Sequence, residues 1–139
     1  MLVSIITPSV RLEKLKICYS FLKKQTDKNF EWVVIIEKNN RNSFVFLKSI
    51  KDIKVSIIIN KFKIITKIMN FAVSKSKGSI ISWLGDDDYL NEDTIKKVRK
   101  TFLNKNPEWL LGFGQYVDEN YNVTRSLMTS VKRFLLSNF

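Results

Sequence analysis

Three consecutive aspartates, Asp86, Asp87 and Asp88, stand directly behind an apolar run in the segment Ser82-Trp83-Leu84-Gly85-Asp86-Asp87-Asp88-Tyr89-Leu90. The rest of the chain is basic: 24 Lys and Arg against 13 Asp and Glu give a net charge of +11. Neighbouring carboxylates repel, by roughly 1 to 3 kcal/mol per pair at ~6 Å, depending on how wet the site is. A divalent cation turns that repulsion into attraction. Mg²⁺ and Mn²⁺ are typically held by one or two carboxylates together with substrate phosphates. An ion so held would bridge a diphosphate to the protein and neutralise a phosphate leaving group. On spacing alone a second account stands beside this one. Aspartate clusters behind strands also form turns and cap helices, so Gly85 to Asp88 could be a solvated turn before a helix.

The 139 residues include no histidine and one cysteine, Cys18. A histidine-based triad, a Cys–His pair and a Cys/His zinc site are therefore excluded. Any metal would be held by oxygen ligands, which favours Mg²⁺, Mn²⁺ or Ca²⁺. A lone cysteine forms no disulfide within the chain, which is compatible with a reducing compartment. No run of about 18 apolar residues is present. The start, MLVSIITPSV, lacks the basic segment and long apolar stretch of a signal peptide and reads as a strand. These features predict a cytoplasmic protein, with peripheral contact at a membrane left open. The positive charge suggests an anionic partner: nucleic acid, acidic headgroups or a phosphorylated substrate. Dispersed lysines also simply keep a surface soluble. Nucleic acid has only net charge in its favour, since no zinc finger, RNP-like aromatic motif or helix-turn-helix pattern is present.

The elements that must position the aspartates follow from periodicity. Strands are expected at Leu2–Thr7, Phe30–Glu37, Lys54–Ile59 and Ile80–Leu84, all short apolar runs without helical period. Helices are expected at Glu13–Lys24, Phe44–Ile50 and Thr66–Lys77, with Asn39–Asn42 a loop. Gly78 stands where a left-handed C-terminal cap would fall. Asn91 is placed to cap a further helix that runs to about Leu103, with Pro107 beyond it. Trp109–Asp118 reads as a strand, Glu119–Asn122 as a turn, and residues 126–138 as an amphipathic helix with Leu127, Val131, Phe134 and Leu135 on one face.

Alternating strands and helices predict a single α/β domain, a mostly parallel Rossmann-like sheet flanked by helices. In such sheets ligands bind outside the carboxyl ends of the strands. Thr7-Pro8-Ser9 follows the first strand at that edge, Glu37 closes the second, and Asp86–Asp88 follow the fourth. Three separated segments thus converge on one edge, which is a stronger indication of a site than the aspartates alone.

These residues resemble the family 2 glycosyltransferases, which have the GT-A fold. The resemblance runs in order through Val3–Ser9, Gln25-Thr26 with Phe30–Val34, Asn70, Gly78 with Ile80–Leu84, the acidic motif Gly85–Leu90, and Leu110–Val123. It implies residues 1–125 as a nucleotide-sugar-binding domain, the N-terminal part of the family's longer chains, with 126–139 as a helix packing on this domain or on a partner. It also implies a nucleotide-diphospho-sugar donor, most often UDP-linked, held through Mn²⁺ or Mg²⁺. Thr7, Pro8 and Ser9 would lie near the nucleotide. Glu37 matches an acidic residue that contacts the base. Lys67 could bind phosphate, and Asn70 belongs to the segment leading to the metal. Asp86 and Asp87 match the pair at the diphosphate and metal, with Asp87 the direct ligand. Aligned as Asp-x-Asp, the pair becomes Asp86 and Asp88. The chain departs from the family at Val10-Arg11, where a Tyr-Asn pair is usual, and at Gly85, where the family's motif is acidic.

Two function classes remain. One is a metal-dependent glycosyltransferase acting on an unspecified glycan or lipid-linked glycan. The other is a binding module that holds a nucleotide-sugar or a partner without completing transfer. In the latter case the amphipathic tail could dock on a second copy, another subunit or a membrane. The sequence names no catalytic base: inverting transfer requires one, and without histidine only Asp or Glu could serve. Asp118 and Glu119 read as solvated turn residues.

Overall fold

Isoleucine and valine supply half or more of each of four short runs, and each run is a strand: β1 (Val3–Pro8), β2 (Phe30–Ile36), β3 (Lys54–Ile59) and β4 (Ile80–Trp83). Branched side chains fit a pleated surface and are stiff at χ1, which favours this outcome. The computed structural model describes residues 1–112 together with Val117, Asp118 and Asn122. Met1–Asn106 forms one compact unit and Pro107–Phe139 a second. The first unit contains the four strands in the order β3-β2-β1-β4, all parallel.

Parallel pairing requires a crossover between strands. The chain supplies it with α1 (Leu12–Leu22), α2 (Arg41–Ser49) and α3 (Ile65–Lys75), and α4 (Thr94–Lys105) follows β4. β2 lies centrally and all of its residues are buried. Its alternate residues feed opposite faces. Trp32, Val34 and Ile36 pack with Leu15, Cys18 and Leu22 of α1, Leu47 of α2 and Ile95 of α4. Val33 and Ile35 pack with Ile6, Ile58 and Ala72 of α3. Three helices therefore cover one face and α3 the other. The chain steps from β1 through β2 to β3 in one direction. Then α3 carries it back over the opposite face to β4, on the far side of β1. The handedness rule for parallel crossovers requires that change of face. The order reverses between β1 and β4, which creates a crevice at their carboxyl ends.

The expected parallel α/β architecture is what the chain forms, and the strands begin and end within two residues of expectation. Several local readings are corrected. The helix α2 starts at Arg41, because Asn40 caps it by accepting a hydrogen bond from the Ser43 N–H at 3.2 Å. The helix α4 is not capped by Asn91. It begins at Thr94, and the Ile95 N–H donates to Oε1 of buried Gln25 at 3.1 Å. Its left-handed terminus falls on Asn106, at φ 44°, just before Pro107. Trp109–Gly112 carries no strand, although Val117 makes an isolated bridge. The Asp118 N–H donates to the Asn122 carbonyl at 3.0 Å, and the rest of the expected turn, residues 119–121, lies outside the described residues. The tail at 126–139 lies outside the described residues. Among the described residues no helix is long and apolar enough to cross a membrane.

Gly78 does not adopt a left-handed cap; α3 ends at Ser76 in extended conformation, and no described glycine has positive φ. Its role is close approach. A Cβ at Gly78 would lie 2.6 Å from the backbone nitrogen and Oγ of Ser4 and 2.8 Å from the Leu2 carbonyl. The Gly78 N–H donates to Ser4 Oγ at 2.8 Å, drawing the α3–β4 connection against β1. Backbone atoms cannot swing aside as a side-chain end can. Gly78→Ala is therefore expected to destabilise by about 1 to 3 kcal/mol, the scale of overpacking. Urea denaturation checks this; a loss below about 0.5 kcal/mol, the scatter of neutral surface changes, would show that the contact relaxes freely.

Candidate functional site

The crevice between β1 and β4 brings together the segments Ser9–Arg11 and Gly85–Asp88. β1 and β4 pair in register, with Ile6 opposite Trp83, and the Leu84 N–H donates to the Ile6 carbonyl at 3.0 Å just beyond the ladder. The segments that follow the two strands are thereby held side by side. Ser9 is fixed from the other side, since its N–H donates to the Ile35 carbonyl of β2 at 2.9 Å.

Asp86 is the buried member of the acidic run; its side chain is 7% exposed against 61% for Asp87. Ser9 Oγ donates to Asp86 Oδ2 at 2.5 Å, and Arg11 Nε donates to the same oxygen at 3.2 Å. Arg11 Nη2 hydrogen-bonds Asp86 Oδ1. The guanidinium thus grips both oxygens of one carboxylate, the fork geometry that arginine supplies and lysine cannot. Nη2 also lies 3.6 Å from Asp87 Oδ2. Burial pushes the Asp86 carboxyl up, but the hydrogen bonds from Arg11 and Ser9, with the charges of Arg11 and Lys14, outweigh it and hold the group below the usual carboxylate range. The hydrogen bond to Asp86 and its negative charge raise Arg11 in turn. Burial, and secondarily the charge of Asp86, push the thiol of nearby Cys18 up to about 12.

The loop that carries the aspartates is pinned at both ends. The Asp88 N–H donates to the Gly85 carbonyl at 3.2 Å, closing a turn, and the Gly85 N–H donates to Asp88 Oδ2 at 3.3 Å. Downstream, Gln25 Nε2 donates to the Asn91 carbonyl at 2.8 Å, and the Thr26 N–H donates to the Glu92 carbonyl at 2.8 Å. The pair Gln25-Thr26 therefore positions the segment between the aspartates and α4.

The other expected site residues are placed as follows. Thr7 is buried, and its Oγ1 accepts from Trp32 Nε1 at 3.0 Å, so its side chain serves the core. Pro8 ends β1 beside Ser9. Glu37 is exposed just past β2. Lys67 and Asn70 are exposed and one turn apart on α3, Lys67 in the first turn. The structure thus joins Ser9 and Asp86 directly, with Asp87 and Asp88 adjoining. The residue that sequence reasoning passed over as a site member is Arg11. Its position after β1, at the converging edge, was the available signal.

Asp87 and Asp88 are the side chains here that could serve as oxygen ligands to a divalent cation. Asp88 Oδ2 and Asp87 Oδ1 lie 2.8 and 3.0 Å from the one point that a Cβ on Gly85 would occupy. Both carboxylates therefore pack close against Gly85, and Asp88 Oδ2 already accepts the Gly85 N–H. No group of three or more acidic or Cys side chains able to hold a metal occurs among the described residues. A complete protein cage is not required, because hard cations at phosphate sites take several ligands from substrate and water. A cleft of about 310 Å³ between α2 and β3, lined by residues such as Phe44, Leu47 and Lys51, shares no residue with this site.

The Asp86 contacts predict a pH dependence. Its folded-state pKa is depressed, so its stabilisation is complete above the ordinary aspartate value, about 3.9. That stabilisation is lost as pH falls through the folded value. Asp27 adds the same trend, held down by the Asn29 N–H and, against opposing burial, by Arg99. Unfolding free energy is expected to be flat in this respect near neutrality and to fall below about pH 4. Asp86→Asn should flatten part of that fall; an unchanged acid limb in urea titrations would contradict the coupling.

The wider comparisons agree with this architecture. A family model described as glycosyl transferase family 2 matches residues 4–137. Among solved structures, S. aureus TarS 1-349 in complex with UDP aligns with a TM-score of 0.72 at 21% identity, over 91% of this chain and 39% of that one. The same protein in complex with UDP-GlcNAc gives 0.71 at 20% identity, over 91% and 38%. This chain thus spans well under half of those structures, and at such identity the likeness speaks for the fold. No curated protein matches the chain. Taken with the parallel sheet and the acidic segment at its switch point, the match over nearly the whole length shows that the chain belongs to glycosyl transferase family 2 and has its GT-A-type α/β fold.

Proposed function

We propose that this domain binds a nucleotide-diphospho-sugar, UDP-linked, at the β1/β4 crevice and takes part in transfer of the sugar to a glycan or lipid-linked glycan acceptor. The observation that carries the reading is the placement of Asp86, Asp87 and Asp88 directly behind β4 at the sheet's switch point, with Asp87 exposed there. The TarS structures with UDP and UDP-GlcNAc support the choice of donor class. Asp87 and Asp88 would hold Mn²⁺ or Mg²⁺. When bound, that ion supplies charge neutralisation of the departing diphosphate.

The chain's own groups bind and orient. Ser9 and Asp86 fix the edge of the crevice next to the phosphates. Gly85, without a Cβ, lets the Asp87 and Asp88 carboxylates pack close against the backbone. Glu37, exposed just past β2, would contact the base, and the exposed Lys67 and Asn70 of α3 would contribute an ammonium and an amide to the donor. The net charge of +11 favours the approach of a polyanion over long range.

Titration calorimetry of UDP, with Mn²⁺ and with chelator, tests the reading. Binding in Mn²⁺ at least about tenfold tighter than in chelator, a difference of about 1.4 kcal/mol, is the expected result. No UDP binding in either condition would overturn donor binding and favour a module that docks a protein partner.

A further inference from the structure

Arg11 sits at the β1/β4 crevice beside the acidic run. Its side chain is half exposed, yet it is anchored on the buried carboxylate of Asp86, which Ser9 also fixes. Asp86 is thereby occupied on both oxygens by groups of the protein itself. Nε and Nη2 face Asp86, and Nη2 reaches toward Asp87. Nη1 has no hydrogen-bond partner among the described residues. A guanidinium can serve two anions at once, because its planar fork presents more than one edge. Here one edge is committed to Asp86 and the rest is open at the crevice.

We propose that Arg11 is a diphosphate-binding residue of the donor site, a cation clamped in advance by Asp86 and Ser9 that contacts the nucleotide's phosphates without the metal. The inference rests on the donor reading above and divides the acidic run by role. Asp86 is a positioning residue for Arg11, while Asp87 and Asp88 face the cation. Preorganisation is the physical gain: the charge-assisted hydrogen bond to phosphate forms without first ordering a long side chain. Loose lysines such as Lys14 do not offer this.

The test compares UDP with uridine, in chelator and in Mn²⁺, on the wild type, Arg11→Gln and Arg11→Lys. The wild type should retain weak UDP binding in chelator. Arg11→Gln should lower that binding about tenfold or more, the scale of one charge-assisted hydrogen bond, and the loss should shrink with added salt. Uridine affinity should not change. Arg11→Lys keeps the charge without the fork and should fall between the two, which keeps the test valid if Arg11→Gln folds poorly. Mn²⁺ binding measured by paramagnetic resonance, without nucleotide, should be as tight or tighter in Arg11→Gln, since a competing cation has been removed from the carboxylates. Equal UDP affinity of wild type and Arg11→Gln in chelator would overturn the proposal. So would a parallel loss of uridine or Mn²⁺ binding, which would mean that Arg11 only holds the loop together. UDP binding by the wild type in Mn²⁺ but none in chelator would overturn it while leaving the donor reading intact. No UDP binding in either condition would overturn both.

Discussion

Asp87→Ala is expected to weaken Mn²⁺-dependent UDP binding by about 100-fold or more, because changes even to the outer partners of metal ligands cost about 10- to 100-fold. The carboxylate is 61% exposed, so its removal opens no cavity and breaks no core contact. Thermal stability should therefore stay within about 0.5 kcal/mol of wild type, the range of ordinary surface substitutions. Loss of binding with retained stability is the signature of a ligand-facing group. Asp86→Ala should behave differently. It removes the anchor of Arg11 and leaves Ser9 Oγ without its acceptor, so binding and stability should fall together. Calorimetry with Mn²⁺ and UDP, paired with thermal melts of each variant, separates the two. Unchanged affinity in Asp87→Ala would remove the central support for the donor site.

Glu31→Ala is expected to be the most damaging single change to the fold, at about 3 kcal/mol, in the range for removing one partner from a buried polar set. Glu31 lies on the central strand β2 and is 3% exposed. Its Oε1 accepts from Ser4 Oγ at 2.6 Å and from the Lys77 N–H at 2.6 Å, and its Oε2 accepts from Ser56 Oγ at 3.3 Å. One carboxylate thus ties β1, β2, β3 and the segment entering β4. Alanine would leave buried donors unpaired and a void beside them. Denaturant midpoints should drop sharply, whereas Glu31→Gln, which keeps the volume and one acceptor oxygen, should lose less. A loss under about 1 kcal/mol for alanine, no more than a typical net hydrogen bond, would show that water replaces the carboxylate. This cluster lies at the opposite end of the strands from Asp86, so UDP affinity in the folded fraction should be unchanged.

Much of the architecture was legible in the residues. Phe30–Ile36 is apolar apart from Glu31, the kind of run that a parallel strand covered on both faces calls for. The alternation of strands with helical periods led directly to a parallel sheet, and the Asp run fell at the carboxyl end of β4 as expected. Local capping was less legible. Asn91 has the right residue type for a cap, but Gln25 reaches the first turn of α4 from 70 positions away. Gly78 after a helix is equally consistent with a left-handed cap and with a close approach to β1, because both require the absence of a Cβ.

Within the site, composition alone limits the chemistry: an acidic run, no histidine, one cysteine, and oxygen donors for any metal. The sequence also placed Ser9 and the aspartates at one sheet edge. Which aspartate is buried against Arg11 and which is open follows only from how the chain folds. Arg11 precedes Asp86 by 75 positions, and they meet because β1 and β4 pair in register beside a switch in strand order. Ion pairs across such a span leave no periodic trace in a sequence. They depend on strand register and on which side chain of the run is turned inward. That turn, buried for Asp86 and open for Asp87, distinguishes three chemically identical residues.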